Sequence, residues 1–190
     1  MGLRCFVAIK LDHGVMERVA ALLRELKKTQ ADFKWVEPHN LHFTLRFLGT
    51  VEEAALVSLR TGLRSAVQGT PQFNVEIAGI GGFPSRNNPR VLWAGVSVGA
   101  DSMKRLAEAV ENEVVRLGFK PEDKGFSPHL TLGRIRSRFG LERVLRLVDG
   151  LVSWRGGSMT VRSVWLMRST LTPAGPIYDA IDEYPLEASP

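Results

Sequence analysis

A chain of 190 residues, 44% hydrophobic and 24% charged, has the balance of a soluble globular fold, which excludes a disordered or fibrous chain. No apolar run is long enough to span a bilayer, and the opening MGLRCFVAIKL lacks the charged start and small-residue cleavage site of a secretory leader; the expectation is a cytoplasmic protein with no membrane association. The formal net charge of +5 comes mostly from arginine, whose planar fork suits phosphate, so the charge fits an anionic partner such as RNA, a nucleotide or a phosphate ester, and equally a basic solvated surface.

Residues 3–10 (LRCFVAIK) read as a strand, and Asp12 caps a helix whose apolar positions are Val15, Val19, Leu22, Leu23 and Leu26. The lone Cys5 cannot form an internal disulfide and is expected in the core. After a turn around EPHN, residues 41–48 alternate as a strand closed by Gly49, and TVEEAALVSLRTGLRSAV carries a capping signal and a helical period. QFNVEIAGI and RVLWAGVSV read as strands separated by a loop, GGFPSRNNP. Asp101 caps a helix ended by Gly118; then come a strand near HLTLGRI, a helix from about Leu141 to Val148, and strands around SMTVRSVWLMRS and IYDAIDEY.

Each half therefore contains a helix, a strand carrying His-x-Thr, a second helix and further strands. This order predicts an α+β protein of two pseudo-symmetric lobes, with two mainly antiparallel sheets lining a central cleft and helices outside. No linker divides the halves, so residues 1–190 are expected to form a single domain of intertwined lobes.

The repeated tetrapeptide carries the chemistry. With four His and nine Thr in the chain, random order gives about 0.2 matches to His-x-Thr, and two occur. Strand alternation places His42, Thr44 and Arg46 on one face and Leu41, Phe43, Leu45 and Phe47 on the other. His129 and Thr131 likewise share a face, whereas Arg134 falls on the leucine side unless Gly133 marks a bulge. Two imidazoles across a cleft suit phosphodiester cleavage without a metal: one takes a proton from water while the other gives one to the leaving oxygen. Threonine hydroxyls and an arginine can hold the non-bridging oxygens. A catalytic zinc needs about three protein ligands. His39 turns to the other strand face, His13 is at a helix start, and neither a second Cys nor an HExxH pattern is present, so no metal or other cofactor is expected.

Together with GGFPSRNNPRVLWAGV, RCFVAIKL and the closing strands, NLHFTLRFLG and FSPHLTLGR resemble the 2H phosphoesterase superfamily, and within it the RNA 2′,3′-cyclic phosphodiesterases, also called the 2′-5′ RNA ligase family. The resemblance implies a bilobal fold and hydrolysis of a ribose 2′,3′-cyclic phosphate to a 2′-phosphate. It implies His42 as proton donor and His129 as proton acceptor, roles that the near-identical motifs do not assign by themselves. Thr44 and Thr131 would hold phosphate oxygens, Arg134 would bind phosphate, and Arg46 would contact the RNA backbone or solvent. Phe126, Phe83 or Trp35 could stack on a nucleobase, and Arg86, Arg90, Arg136 and Arg138 could extend a basic path. The implied partner is an RNA or oligonucleotide with a 2′,3′-cyclic phosphate end, bound by a monomer. Three alternatives stay open: 2′-5′ ligation by the reverse reaction, a smaller cyclic phosphate as substrate, and RNA binding without turnover.

Overall fold

Strand β1 (Leu3–Lys10) is buried from Cys5 to Ile9, and its two faces serve different cores. Cys5, Val7 and Ile9 enter the main core, whereas Phe6 and Ala8 join Met167, Trp165 and Tyr178 in a small cluster on the opposite face. Burial also raises the Cys5 thiol pKa, which keeps it a packing residue. The structure is a computed structural model that describes residues 2–173 and 175–188.

The elements follow in the order α1 (His13–Lys28), β2 (Phe33–Trp35), β3 (His42–Val51), α2 (Glu53–Val67), β4 (Phe73–Ser85), β5 (Asn88–Val98), α3 (Ala100–Arg116), β6 (Leu130–Ile135), α4 (Leu141–Asp149), β7 (Arg155–Val161), β8 (Ser163–Thr172) and β9 (Gly175–Pro185). The strands form one curled antiparallel sheet of nine, in the order β7-β4-β5-β6-β3-β1-β8-β9, with β2 added to β6. The two expected sheets are thus halves of one, and β3 and β6 meet through a single residue pair, Phe43 with Leu130. Each is the residue between His and Thr of its motif, so the pseudo-twofold passes between them. Both are fully buried, a contribution of ~1.5–3 kcal/mol each. A one-residue slip would turn both into the cleft and the histidines into the core, which fixes the register.

The helices all feed the main core. Asp12 caps α1 through a 2.8 Å bond accepted from the Val15 amide, and the expected stripe Val15, Val19, Leu22, Leu23 and Leu26 is buried. Helix α1 packs on β7, α2 on α3 and β9, and α3 on β3. The Arg143 guanidinium of α4 donates to the Thr29 carbonyl at the end of α1, at 2.6 Å. The other face of the sheet stays open along the seam.

Local departures from expectation have simple causes. Gly49 does not close its strand: Thr50 continues β3 by pairing with Arg4, and α2 starts at Glu53 with no side-chain cap. Gly99, not Asp101, precedes α3. Its φ of 82° admits only glycine readily, and a Cβ there would strike the Asn74 carbonyl, while Asp101 lies in the first turn, where its charge suits the helix dipole. GGFPSRNNP is not a loop, since β4 and β5 run through it and turn only at Arg86 and Asn87. Gly81 is required there, because a side chain would occupy the space of the Trp93 indole.

Candidate active site

The antiparallel pairing of Phe43 with Leu130 sets the geometry. It places His42 across from Thr131 and Thr44 across from His129, all on the open face. Directly opposed side chains in such a pair stand about 4.5–5.5 Å apart and diagonal ones about 7–8 Å. The imidazoles occupy one diagonal and the hydroxyls the other.

Both rings are oriented in the same way. Nδ1 of His42 lies 2.7 Å from the Asn40 carbonyl, and Nδ1 of His129 lies 2.7 Å from the Ser127 carbonyl. A carbonyl can only accept, so each Nδ1 carries its hydrogen and each Nε2 is left for the cleft. In the His42 ring this Nε2 is 3.0 Å from the Thr44 hydroxyl. The buried Asn40 is itself tied by its side-chain amide to the Pro176 carbonyl of β9, at 3.0 Å. Burial holds the His42 pKa below the ordinary imidazole value; its bond to Asn40 opposes this, and the charge of His129 lowers it further. The two imidazoles are thus electrostatically coupled.

Aromatic rings flank each imidazole. Phe6 lies 4.9 Å from His42 and Tyr178 lies 5.2 Å from it, edge to face. Phe83 stands 5.0 Å from His129 in the same edge-to-face manner, so this expected residue is at the site. Tyr178 and Phe6 were missed by sequence reasoning. Phe6 shares a face with Ala8 and the cleft by simple alternation, whereas only the β8–β9 pairing brings Tyr178 to His42. Burial raises the Tyr178 pKa, opposed by the nearby Arg134 and Arg4, so its hydroxyl stays a hydrogen-bond donor at neutral pH.

Two bulges decide the arginines. In β6, Leu92 and Trp93 of β5 face Gly133 and Thr131, so Leu132 is the extra residue and Arg134 returns to the Thr131 face. The expected bulge exists, one position earlier than Gly133. In β3, Val7 and Ala8 face Arg46 and Thr44, so Leu45 is extra and the strand is inverted over Arg46 and Phe47, until a second extra residue, Leu48, restores the alternation at Gly49. Arg46 is therefore corrected: it leaves the cleft for the helix side and is buried, and the exposed Phe47 takes the cleft-side position. Its guanidinium pairs with Glu111 of α3, lies 2.8 Å from Glu122, and donates to the Phe47 and Lys120 carbonyls. This network fastens the segment after α3 that leads into His129. Replacing Arg46 with Met leaves those acceptors unpaired, and an expected loss of about 2–3 kcal/mol is checked by urea unfolding.

Other expected contacts lie elsewhere. Trp35 stacks on Phe33 at 4.5 Å beside Gly133, on the core side, and Phe126 packs against the main core. Arg86 is paired with Asp149 at 2.7 Å, and Arg138 reaches Asn88. His13 and His39 are exposed, and among the described residues no three His, Cys, Asp or Glu side chains gather as metal ligands.

Comparison with known proteins agrees with this geometry. A family model described as LigT like Phosphoesterase matches residues 9–93 and 96–178, one stretch for each half and each holding one His-x-Thr. A Methanothermobacter thermautotrophicus protein named RNA 2′,3′-cyclic phosphodiesterase is 38% identical, covering 98% of this chain and all of that one. A protein of the same name from Archaeoglobus fulgidus is 40% identical over 93% of this chain and 96% of its own. The crystal structure of TT0787 of Thermus thermophilus is 28% identical and superposes with a TM-score of 0.81, covering 97% of this chain and 98% of that one. With its motifs and fold repeated in both halves, the chain belongs to the LigT-like phosphoesterase family, of the 2H phosphoesterases.

Proposed function

We propose that the protein hydrolyses RNA 2′,3′-cyclic phosphate ends to 2′-phosphates by two-histidine acid and base catalysis. The observation that carries this is the diagonal pair of imidazoles, each with Nδ1 held by a main-chain carbonyl and Nε2 turned to the cleft side, where that of His42 meets the Thr44 hydroxyl. The names of the relatives at 38% and 40% identity support the same substrate.

In this mechanism the cyclic phosphate sits between the rings. His129 takes a proton from water, the hydroxide oxygen bonds to phosphorus, the bond from phosphorus to the 3′ oxygen breaks, and His42 gives its proton to that oxygen. Thr44, Thr131 and Arg134 hold the non-bridging oxygens as charge accumulates. Burial keeps His42 neutral in the empty cleft more than an exposed ring would be. A bound phosphate anion restores its charged form. One chain supplies all four motif side chains, which supports a monomer as the acting unit. Among the described residues no helix is long and apolar enough to cross a membrane; the proposed place of work, with RNA as substrate, is the cytoplasm. The same atoms run backwards would join a cyclic end to a 5′-hydroxyl.

The test incubates the protein, in excess EDTA and without ATP, with an RNA oligomer ending in a 2′,3′-cyclic phosphate. The expected product is the 2′-phosphate alone; an unchanged cyclic end would overturn the proposal.

A further inference from the structure

The proposed reaction, on which this inference rests, fixes where the RNA chain must lie. Water enters from the His129 side and the 3′ oxygen departs toward His42, still bonded to its ribose. The ribose and everything attached to its 5′ carbon therefore extend past His42, away from His129.

On that side the sheet offers a built groove. Lys10 is the cross-strand partner of His42, and Trp165 on the next strand pairs with Ala8, two residues from Lys10 on the same face. A cavity of about 600 Å³ opens there, lined among others by Lys10, Trp165, Asn74, Thr160, Arg162 and Glu183. Its acidic groups are already engaged: Glu183 accepts from the Ser163 hydroxyl at 2.6 Å, and Asp12 caps α1. Among the described residues Lys10 makes no ion pair, and its ammonium lies 3.6 Å from the centre of the Trp165 ring. A cation held over an indole is a moderate interaction that a phosphate can outcompete. Once the ammonium moves onto a phosphodiester, the ring face it covered is open to a base.

We propose that Lys10 and Trp165 form a subsite for the nucleotide on the 5′ side of the cyclic phosphate, with Lys10 taking the connecting phosphodiester and Trp165 stacking on the base. Lys10 stands on the strand next to His42, at a strand spacing of about 4.8 Å, and its long side chain spans the further distance to the phosphate next in line. The substrate is then an oligonucleotide end rather than a lone nucleoside cyclic phosphate. Neither residue touches the reacting phosphate.

The experiment compares adenosine 2′,3′-cyclic phosphate with the dinucleotide ApA ending in the same cyclic phosphate, at fixed ionic strength. The wild type is expected to favour the dinucleotide in kcat/KM by about tenfold to a hundredfold, the scale of one stacked base plus a phosphate contact. Trp165→Leu and Lys10→Met should each remove most of that preference and leave the nucleoside within about twofold of wild type. Equal wild-type efficiency on both substrates, or variants that lose both in parallel, would overturn the subsite. A preference lost in Phe83→Ala and kept in Trp165→Leu would overturn it too, by routing the chain past His129. A wild type that cleaves neither substrate refutes the reaction itself. The groove is then still decided by fluorescence: ApA bearing a 3′-terminal phosphate should quench a signal that Trp165→Phe lacks, and equal quenching in that variant refutes the subsite.

Discussion

Alanine in place of His42 or of His129 is expected to lower kcat/KM on an RNA 2′,3′-cyclic phosphate end by about 10²–10⁴ each. The double variant should lose little more than the worse single, because acid and base act in one step. Affinity for the 2′-phosphate product should change far less, since Thr44, Thr131 and Arg134 remain. Equal loss of rate and of product affinity would make the histidines ligands rather than proton carriers. The pH dependence of kcat/KM gives a second view: it should be a bell whose two limbs belong to the coupled pair. His42 is held below the ordinary imidazole value, so it surrenders its proton early as pH rises, and at least one limb should lie below about pH 6.5. A rate that climbs steadily into the alkaline range would contradict the pair.

A substrate with sulfur in place of the bridging 3′ oxygen should separate the two roles. A thiolate leaves without needing a proton, so His42→Ala should recover on it by about 10² or more relative to the oxygen substrate, while His129→Ala should not. Recovery of His129→Ala instead would exchange acid and base and would turn the RNA chain to the other side of the site. The comparison is sharp because both rings have the same main-chain anchor and differ mainly in surroundings, with His42 part-buried between Phe6 and Tyr178 and His129 more exposed beside Phe83.

The four motif residues were legible because strand alternation is a local rule and the motif occurs twice. The same rule failed at Arg46, since the extra residue at Leu45 depends on how β1 pairs with β3 and leaves no mark in the β3 sequence. At Arg134 the neighbouring glycine did hint at an irregularity, and the outcome followed the hint. Tyr178 was beyond reach for a different reason: it comes to His42 only through the pairings of β9 with β8 and β8 with β1. GGFPSRNNP was misread because its glycines look like loop signals, although Gly81 is there to make room for Trp93 within a hairpin.

The lone ladder pair between Phe43 and Leu130 has a mechanical consequence. His42 and His129 stand on opposite sides of a joint with little backbone bonding of its own. Their separation is a property of that joint, like the gap between two pages set by the spine of a book. Changes deep inside either half should cost stability and leave the catalytic spacing alone. Changes at the spine should spoil proton transfer in a protein that still folds.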